Sequence, residues 1–260
     1  MLQVTYRKKG IKLSHVWFAK REQLEKRQYF QQKADLYYLH GIPSDNSDLF
    51  SFRNLMHQRS IIKELDLPEG ELFLSLGKHL RQYIKKSRKE NSVQIEIFDW
   101  EYLINHPEII NNCQSLYEKM FQDKGLNIRF NKSLLYAYIQ AGSVAIGYAS
   151  IDKQPVGFSA IIYNNDNARL WLAAFDFRNT SMDSQILSRG HQRLDWEILL
   201  WCKSRGVKHF DFEGVNSFDN PDGISRFKMG FEKENKVTYY NAIVSNSLLG
   251  YFVLKTLRVH

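Results

Sequence analysis

The amino-acid sequence predicts an α/β (α+β) protein built on a mixed sheet, and three observations lead to this prediction. Residues 144–175 contain three β-rich runs separated by tight turns, a pattern typical of an antiparallel meander. A long helical pattern follows at 184–204 and ends at Arg205-Gly206. A further apolar run, 207–212, comes after this helix, and a strand reached through a helical crossover is expected to lie parallel to its neighbour.

Turn residues define the limits of the predicted meander. Asp-Lys-Gln-Pro at 152–155 and Asn-Asn-Asp-Asn at 164–167 have the composition of hairpin turns. The predicted strands are therefore 144–151, 156–163 and 168–175. Gly206 suits the left-handed position that follows a helix, so the long helix is expected to end there.

The remaining elements are predicted from local periodicity. The first sixty residues are strand-like, with runs at 11–19 and 35–39 and a polar segment, 20–33, that is compatible with a helix. We expect helices at 68–91, 100–121, 131–140 and 224–229, strands at 93–98 and 237–244, and a helical tail from 246 to 257. The interruption at Pro107 is compatible with a break in the second of these helices.

Composition limits the classes of protein and partner. The chain has 260 residues and a formal net charge of +8, which favours anionic partners such as phosphorylated molecules, RNA or an acidic membrane face. Cys113 and Cys202 have no ligand-spaced neighbours, so we expect reduced thiols and no metal site. The sequence has no run of about 18 apolar residues, so no membrane-spanning helix is predicted. It also has no leader pattern, and a cytoplasmic protein is therefore expected.

Three further segments are candidates for chemistry. The start of the long helix could bind an anion through its free N–H groups, assisted by Thr180, Ser181, Ser184 and Ser188, although Ser181 or Asp183 could equally be a simple N-cap. Asp211 and Glu213 share one face at the end of a strand, where ligands bind in open α/β sheets. Lys228 lies among Phe227, Met229 and Phe231, as expected for a partly buried ammonium or for an ordinary surface lysine.

A basic helix is predicted in the first half of the chain. Arg81, Lys85, Arg88 and Lys89 recur at helical spacing, and no acid stands between Glu71 and Glu90. Such a face suits a diphosphate or an RNA backbone, and a merely solvated helix is the alternative.

Together these segments resemble the GNAT-type acyltransferase domain of the FemAB-like family. The resemblance rests on the helix ending at Gly206, on Phe-Asp-Phe-Glu-Gly at 210–214, and on Gly-Ile-Ser-Arg-Phe-Lys-Met-Gly-Phe at 223–231. The stretch 81–89 looks like the basic helix of that family, and the similarity covers about 70–240. Arg-Asn-Thr-Ser at 178–181 replaces the usual acyl-CoA loop. The resemblance implies a reduced GNAT-like part at 1–90 and an acyltransferase domain at 91–260.

The resemblance also implies N-acyl transfer and roles for individual residues. Lys228 would stabilise the acyl oxyanion or a phosphate, and Asp211 or Glu213 would act as base or orient the substrate. The donor, an acyl-CoA such as acetyl-CoA, would contact Trp171, Ala173, Ser184, Gln185 and Ser188. The substrate would contact Arg81, Lys85, Arg169, Asp176 and Phe227, with Arg81 and Lys85 on the diphosphate of a nucleotide-activated or lipid-linked glycan acceptor.

Three functions remain open from the sequence. The first is an acyl-CoA-dependent transferase that acts on an amino sugar or glycan precursor in polysaccharide or cell-envelope biosynthesis. The second is an aminoacyl-tRNA-dependent amino-acid transferase, although no heptad pattern predicts a coiled-coil arm. The third is a binding module without activity. The tail from 246 to 260 could pack on the core or contact the inner face of a membrane, because Leu248, Leu249, Tyr251 and Phe252 accompany Lys255.

Overall fold

The structure, a computed structural model, describes residues 1–50, 55–178 and 182–257. Its strands are β1 (Leu2–Lys8), β2 (Ile11–Trp17), β3 (Leu36–Pro43), β4 (Leu55–Glu64), β5 (Gln94–Asp99), β6 (Val144–Ile151), β7 (Gln154–Tyr163), β8 (Asn167–Phe175), β9 (His209–Asp211) and β10 (Lys236–Ser245). Its α-helices are α1 (Arg21–Glu25), α2 (Glu69–Leu74), α3 (Lys78–Glu90), α4 (Trp100–Leu103), α5 (Pro107–Gln122), α6 (Lys132–Gln140), α7 (Ser184–Ser204), α8 (Gly223–Met229) and α9 (Leu248–Leu257).

The described residues form two compact units. The first unit contains those of 1–60 together with 236–257, and the second contains those of 61–235. The sequence predicts a division after residue 90 between a reduced GNAT-like part and an acyltransferase domain. The two compact units do not test that division, so it stays a prediction. In the first unit β2 pairs antiparallel with β1 and parallel with β3, and β3 pairs antiparallel with β10.

The second unit confirms the predicted meander and the returning parallel strand. Its strands follow the order β5-β6-β7-β8-β9-β4, and β8–β9 is a parallel pair whereas the other pairs are antiparallel. Asp152 and Lys153 both have positive φ angles, 49° and 64°, as the two-residue turn between β6 and β7 requires. Gly206 has φ +81° directly after α7, which fits its predicted role at the helix end.

The crossover helix α7 forms the main core of the second unit. Its apolar side, which includes Leu187, Leu194, Ile198 and Leu199, is buried with residues of β6, β7 and β8. A Cβ atom on Gly147 would lie 2.6 Å from Ile198 Cδ1, so the missing side chain allows α7 to approach β6 closely.

Three predicted elements are wrong in their extent. The helix expected over 68–91 is divided into α2 and α3, because the Gly77 N–H donates to the carbonyl oxygen of Gly230 at 2.8 Å and the chain turns there. The strand expected at 207–212 shortens to β9, and only residues 62–64 of β4 pair with it. The polar segment 20–33 forms α1 and a separate 3-10 turn, Gln28–Gln31, with Arg27 left-handed between them.

Two further observations concern the cysteines and the lengths of the helices. Cys113 and Cys202 are both buried and free. Within the described ranges, no helix has the length and apolar character needed to cross a membrane.

Candidate active site

A buried arginine joins the two predicted acids. Because β8 and β9 are parallel, with Arg169 opposite Asp211, the guanidinium reaches the end of β9. Its Nη1 lies 3.2 Å from Asp211 Oδ2 and its Nη2 lies 3.2 Å from Glu213 Oε1. The Glu213 N–H also donates to Asp211 Oδ1 at 2.7 Å. Arg169 is 2% exposed, so this is a desolvated ion-pair cluster in which each partner depends on the others.

Lys228 completes the cluster from α8. This helix begins at Asp222, whose carboxylate caps it by accepting from the Ser225 N–H at 2.7 Å. The Lys228 ammonium donates to the carbonyl oxygens of Glu213 and Gly214, the latter at 3.0 Å. These two bonds hold the lysine against the loop that follows β9.

Burial affects the protonation of both Lys228 and Glu213. Desolvation lowers the pKa of Lys228, and the carboxylates of Glu213, Asp211 and Asp195 oppose that shift. Desolvation raises the pKa of Glu213, and Arg169 opposes it. Shifts of this kind, in groups that face a cleft, are typical of functional sites as well as of structural ion-pair networks.

The cluster borders a cavity of about 720 Å³ in the second unit. Its walls are mostly apolar and come from α5, β8, α7 and α8. They include Met120, Phe121, Leu170, Trp171, Ala173, Phe175, Phe177, Ser188, His191, Glu213, Ile224, Phe227 and Lys228. A largely apolar cavity with a few convergent polar groups is the usual form of a small-molecule site.

His191 also lines this cavity, although its position in the sequence does not predict a functional role. Its ring is stacked between those of Phe175 and Phe227, with centroid distances of 4.3 and 4.6 Å. Nε2 lies 3.7 Å from Asp195 Oδ2, and Asp195 Oδ1 accepts from the Ser159 hydroxyl at 2.7 Å. Burial lowers the pKa of His191, and the carboxylate of Asp195 opposes that shift. The i, i+4 spacing of His191 and Asp195 on a helix is the signal that could have indicated this pair.

The structure brings most of the predicted site residues together. Those on the cavity wall are Lys228, Glu213, Trp171, Ala173, Ser188 and Phe227, and Arg169 and Asp211 bind Glu213 from the sheet. Asp176 is not on the wall; its carboxylate pairs with Lys119 at 2.6 Å. Ser184 and Gln185, in the exposed first turn of α7, are not on the wall either.

Arg81 and Lys85 are also absent from the wall of this cavity. Arg81 lines a different cavity of about 610 Å³, with Lys63, Lys78 and Glu232 among its neighbours. Lys85 is exposed, with its ammonium 5.7 Å from the Phe73 ring centroid. Their predicted contact with a diphosphate stays a prediction, and it requires an acceptor that extends beyond the 720 Å³ cavity.

The N-terminus of α7 is capped by a carboxylate, so its N–H groups are not all free to bind an anion. Asp183 is the N-cap, and its carboxylate accepts from the Gln185 N–H at 2.7 Å. Residues 179–181, which include the predicted hydroxyl donors Thr180 and Ser181, lie outside the described residues. Arg178, just before them, donates to the carbonyl oxygen of Asp123. A carboxylate at this position reduces the attraction of the helix end for an anion.

In the part of the chain that the structure describes, no group of three or more His, Cys, Asp or Glu side chains is arranged to hold a metal ion.

Comparisons with known proteins give similarity in structure alone. No family model and no curated protein matches the sequence. The C-terminal domain (DUF2156) of a putative lysylphosphatidylglycerol synthetase from Agrobacterium fabrum superposes with a TM-score of 0.57 at 13% identity, over 98% of this chain and 84% of that one. FemX gives 0.57 at 10% identity, over 95% and 83% of the two chains. This chain has a FemX-like fold.

A third solved structure has a similar fold. L-PGS from Bacillus licheniformis gives a TM-score of 0.54 at 15% identity, over 98% of this chain and 85% of that one. The fold implied by the FemAB-like resemblance is therefore confirmed along almost the whole chain. At 10 to 15% identity the reaction does not follow from the fold.

Proposed function

We propose that this chain is an acyltransferase that moves an acyl group from an activated donor to an amino group in the 720 Å³ cavity. One observation carries the proposal: a partly buried ammonium, Lys228, and a carboxylate, Glu213, share the wall of an apolar cavity in a FemX-like fold. The first group can stabilise negative charge and the second can accept a proton. Acyl transfer to an amine needs both.

The reaction can be written with these residues. The amine nitrogen attacks the acyl carbon, a C–N bond forms, and the bond from that carbon to the donor sulfur or oxygen breaks. The carbonyl oxygen carries negative charge in between, and Lys228 would donate a hydrogen bond to it. The loop carbonyls of Glu213 and Gly214 already fix the position of the ammonium, so little reorganisation is required.

The proton of the attacking amine needs an acceptor. Glu213 lines the cavity and its raised pKa makes it a stronger base than an exposed glutamate, whereas Asp211 lies behind it against Arg169. The imidazole of His191 lies on the same wall and is a second candidate acceptor. The leaving sulfur or oxygen would take the proton at the end of the reaction.

The first candidate for the donor is an acyl-CoA, with acetyl-CoA as the simplest case. The acceptor would be an amino sugar or another glycan precursor, either nucleotide-activated or lipid-linked. The apolar walls at Trp171, Ala173 and Phe227 suit an acyl chain and its thioester arm.

A second candidate is an aminoacyl donor such as aminoacyl-tRNA, and the start of α7 favours it. Asp183 places a carboxylate where the pyrophosphate of an acyl-CoA would be expected to bind. An aminoacyl group carries an ammonium that Glu213 could pair with. One structural neighbour is named as a putative lysylphosphatidylglycerol synthetase, and lysylphosphatidylglycerol is an aminoacyl lipid.

A thermal-shift screen of candidate donors and acceptors tests the proposal and separates the two kinds of donor. Acetyl-CoA and longer acyl-CoAs, UDP-amino sugars and mixed aminoacyl-tRNAs are each added to the wild-type chain and to Ala173→Trp, which fills the cavity. We expect a donor to raise the melting temperature of the wild type and to have a smaller effect on Ala173→Trp. If no donor class stabilises the wild type, the proposal is wrong; tolerance of Lys228→Ala in the producing cell would then favour a binding module without activity.

A further inference from the structure

Helix α9 is apolar on both sides, although only one side is covered within the first unit. Gly250 and Leu254 are buried, and Leu254 packs with Leu13 and Leu36. The opposite side carries Leu248, Leu249, Tyr251 and Phe252, which are 81%, 49%, 55% and 64% exposed. A helix that is hydrophobic all round normally has both faces buried. We call these four side chains the α9 apolar face.

The helix is held so that it cannot turn this face inward. A Cβ atom on Gly250 would lie 2.0 Å from the carbonyl oxygen of Asp35, so the backbones touch there. The Ser247 hydroxyl donates to Asp35 Oδ1 at 2.7 Å, and the Asn246 N–H donates to the Asp35 carbonyl oxygen at 3.1 Å. These contacts fix both the position and the rotation of the first turn, and the α9 apolar face is presented outward.

The surroundings of this face are basic. Asp35 Oδ2 accepts from the Lys12 N–H at 2.8 Å, so the β1–β2 hairpin lies beside the start of α9. Arg7, Lys8 and Lys9 are exposed on that hairpin, and Lys255 is exposed on α9 itself. In sequence, residues 1–19 and 236–260 contain seven Lys or Arg and no Asp or Glu. The carboxylate of Asp35 is engaged by Ser247 and Lys12.

We propose that the α9 apolar face and the β1–β2 hairpin together form a docking surface for an anionic lipid bilayer. The four apolar side chains would enter the boundary between headgroups and acyl chains, and the cations would contact phosphate. A ten-residue helix is too short to span a bilayer, so α9 would lie in the plane of the interface. A second copy of the chain fits poorly, because a twofold contact would oppose the same cations without an acid to pair them. The proposal does not depend on the proposed reaction.

Vesicle sedimentation tests this surface directly. The full chain is mixed with vesicles of phosphatidylcholine alone, or with about 30 mol% phosphatidylglycerol. We expect binding at least about tenfold tighter to the anionic vesicles, weakened when salt is raised from about 0.1 to about 0.5 M. Equal or absent binding to both kinds of vesicle overturns the proposal.

Matched variants assign the binding to residues. The triple variant Leu248→Ser, Leu249→Ser, Phe252→Ser should lose at least about tenfold in affinity, and Lys8→Gln with Lys9→Gln should lose most of the preference for anionic lipid. The control is Leu74→Ser, Ile104→Ser, Leu126→Ser, three similarly exposed residues of the second unit, which should bind as the wild type does.

Two further measurements check that the serine variant is folded and that position 252 enters the bilayer. Thermal melts show whether the serine variant is folded, and the emission of Phe252→Trp should shift to the blue with anionic vesicles only. A sedimentation-equilibrium dimer that the serine triple variant dissociates, without lipid binding by the wild type, would assign the face to a second copy instead and refute the lipid surface.

Discussion

At the scale of single residues, Arg169 sets the arrangement of the candidate site. One buried guanidinium holds the carboxylates of Asp211 and Glu213 at 3.2 Å each, and the loop after β9 then holds Lys228. The sequence predicted Asp211, Glu213 and Lys228 from their residue types, and it placed Arg169 near the substrate. It could not predict that Arg169 binds both acids, because that contact depends on the parallel register of β8 and β9.

Removing this cation should destabilise the chain strongly. Arg169→Met leaves two desolvated carboxylates without a partner, and we expect the free energy of unfolding to fall by about 3 kcal/mol. Urea denaturation at pH 7 measures the change, with Arg226→Met, an exposed cation on α8, as the control. A loss below about 1 kcal/mol for Arg169→Met would show that the cluster is not held by this ion pairing.

His15 should make stability depend on pH. Its Nδ1 lies 3.0 Å from His40 Nε2, its ring stacks on Tyr38, and burial lowers its pKa from 6.5 to about 4. Between these two values the unfolded chain binds a proton at His15 and the folded chain does not. Stability should therefore fall as pH falls from about 6.5 to about 4, by about 3 kcal/mol from this group.

The His15→Phe variant isolates this effect. Urea midpoints between pH 7 and pH 4.5 should change much less in His15→Phe than in the wild type, whereas His79→Asn, at an exposed histidine, should follow the wild type. Parallel pH curves for His15→Phe and the wild type would exclude His15 as the source.

At the scale of elements, the sequence predicted the strands, turns and helix ends that depend on residues close together in the chain. The meander, its turn at Asp152 and Lys153, and the end of α7 before Gly206 follow from alternation, turn residues and helix periodicity. The break between α2 and α3 was missed because the partner of Gly77 is Gly230, far along the chain. His191 was missed for the same reason: its stacking on Phe175 and Phe227 arises only when β8, α7 and α8 pack together.

The packing of α7 on β6 gives a prediction at this scale. Gly147→Ala would place a Cβ atom 2.6 Å from Ile198 Cδ1, so we expect a loss of about 1 to 3 kcal/mol in unfolding free energy. Ile198→Val removes that methyl group, and the double variant should recover part of the loss. Additive effects in this double-mutant cycle would mean that the two residues do not contact each other as described.

At the scale of the whole molecule, the basic excess and the candidate site lie in different compact units. The acid-free segments 1–19 and 236–260 belong to the first unit, and the cavity with Lys228 belongs to the second. The predicted basic site at Arg81 and Lys85 did not join the cavity, because spacing along a helix does not determine which side of a fold the helix faces. The fold was predictable from motifs that are local, whereas the identity of the donor was not.

Acyl transfer by the wild type and by Lys228→Ala shows whether the cavity beside Lys228 is the site of the reaction. The acyl donor that gives the thermal shift is supplied with a radiolabelled acyl group and a panel of amines, and labelled amide is counted over time. We predict transfer by the wild type and by Arg226→Ala, and a rate about 10²-fold to 10³-fold lower for a correctly folded Lys228→Ala. Transfer at the wild-type rate by Lys228→Ala would contradict the assignment of this cavity as the site of the reaction.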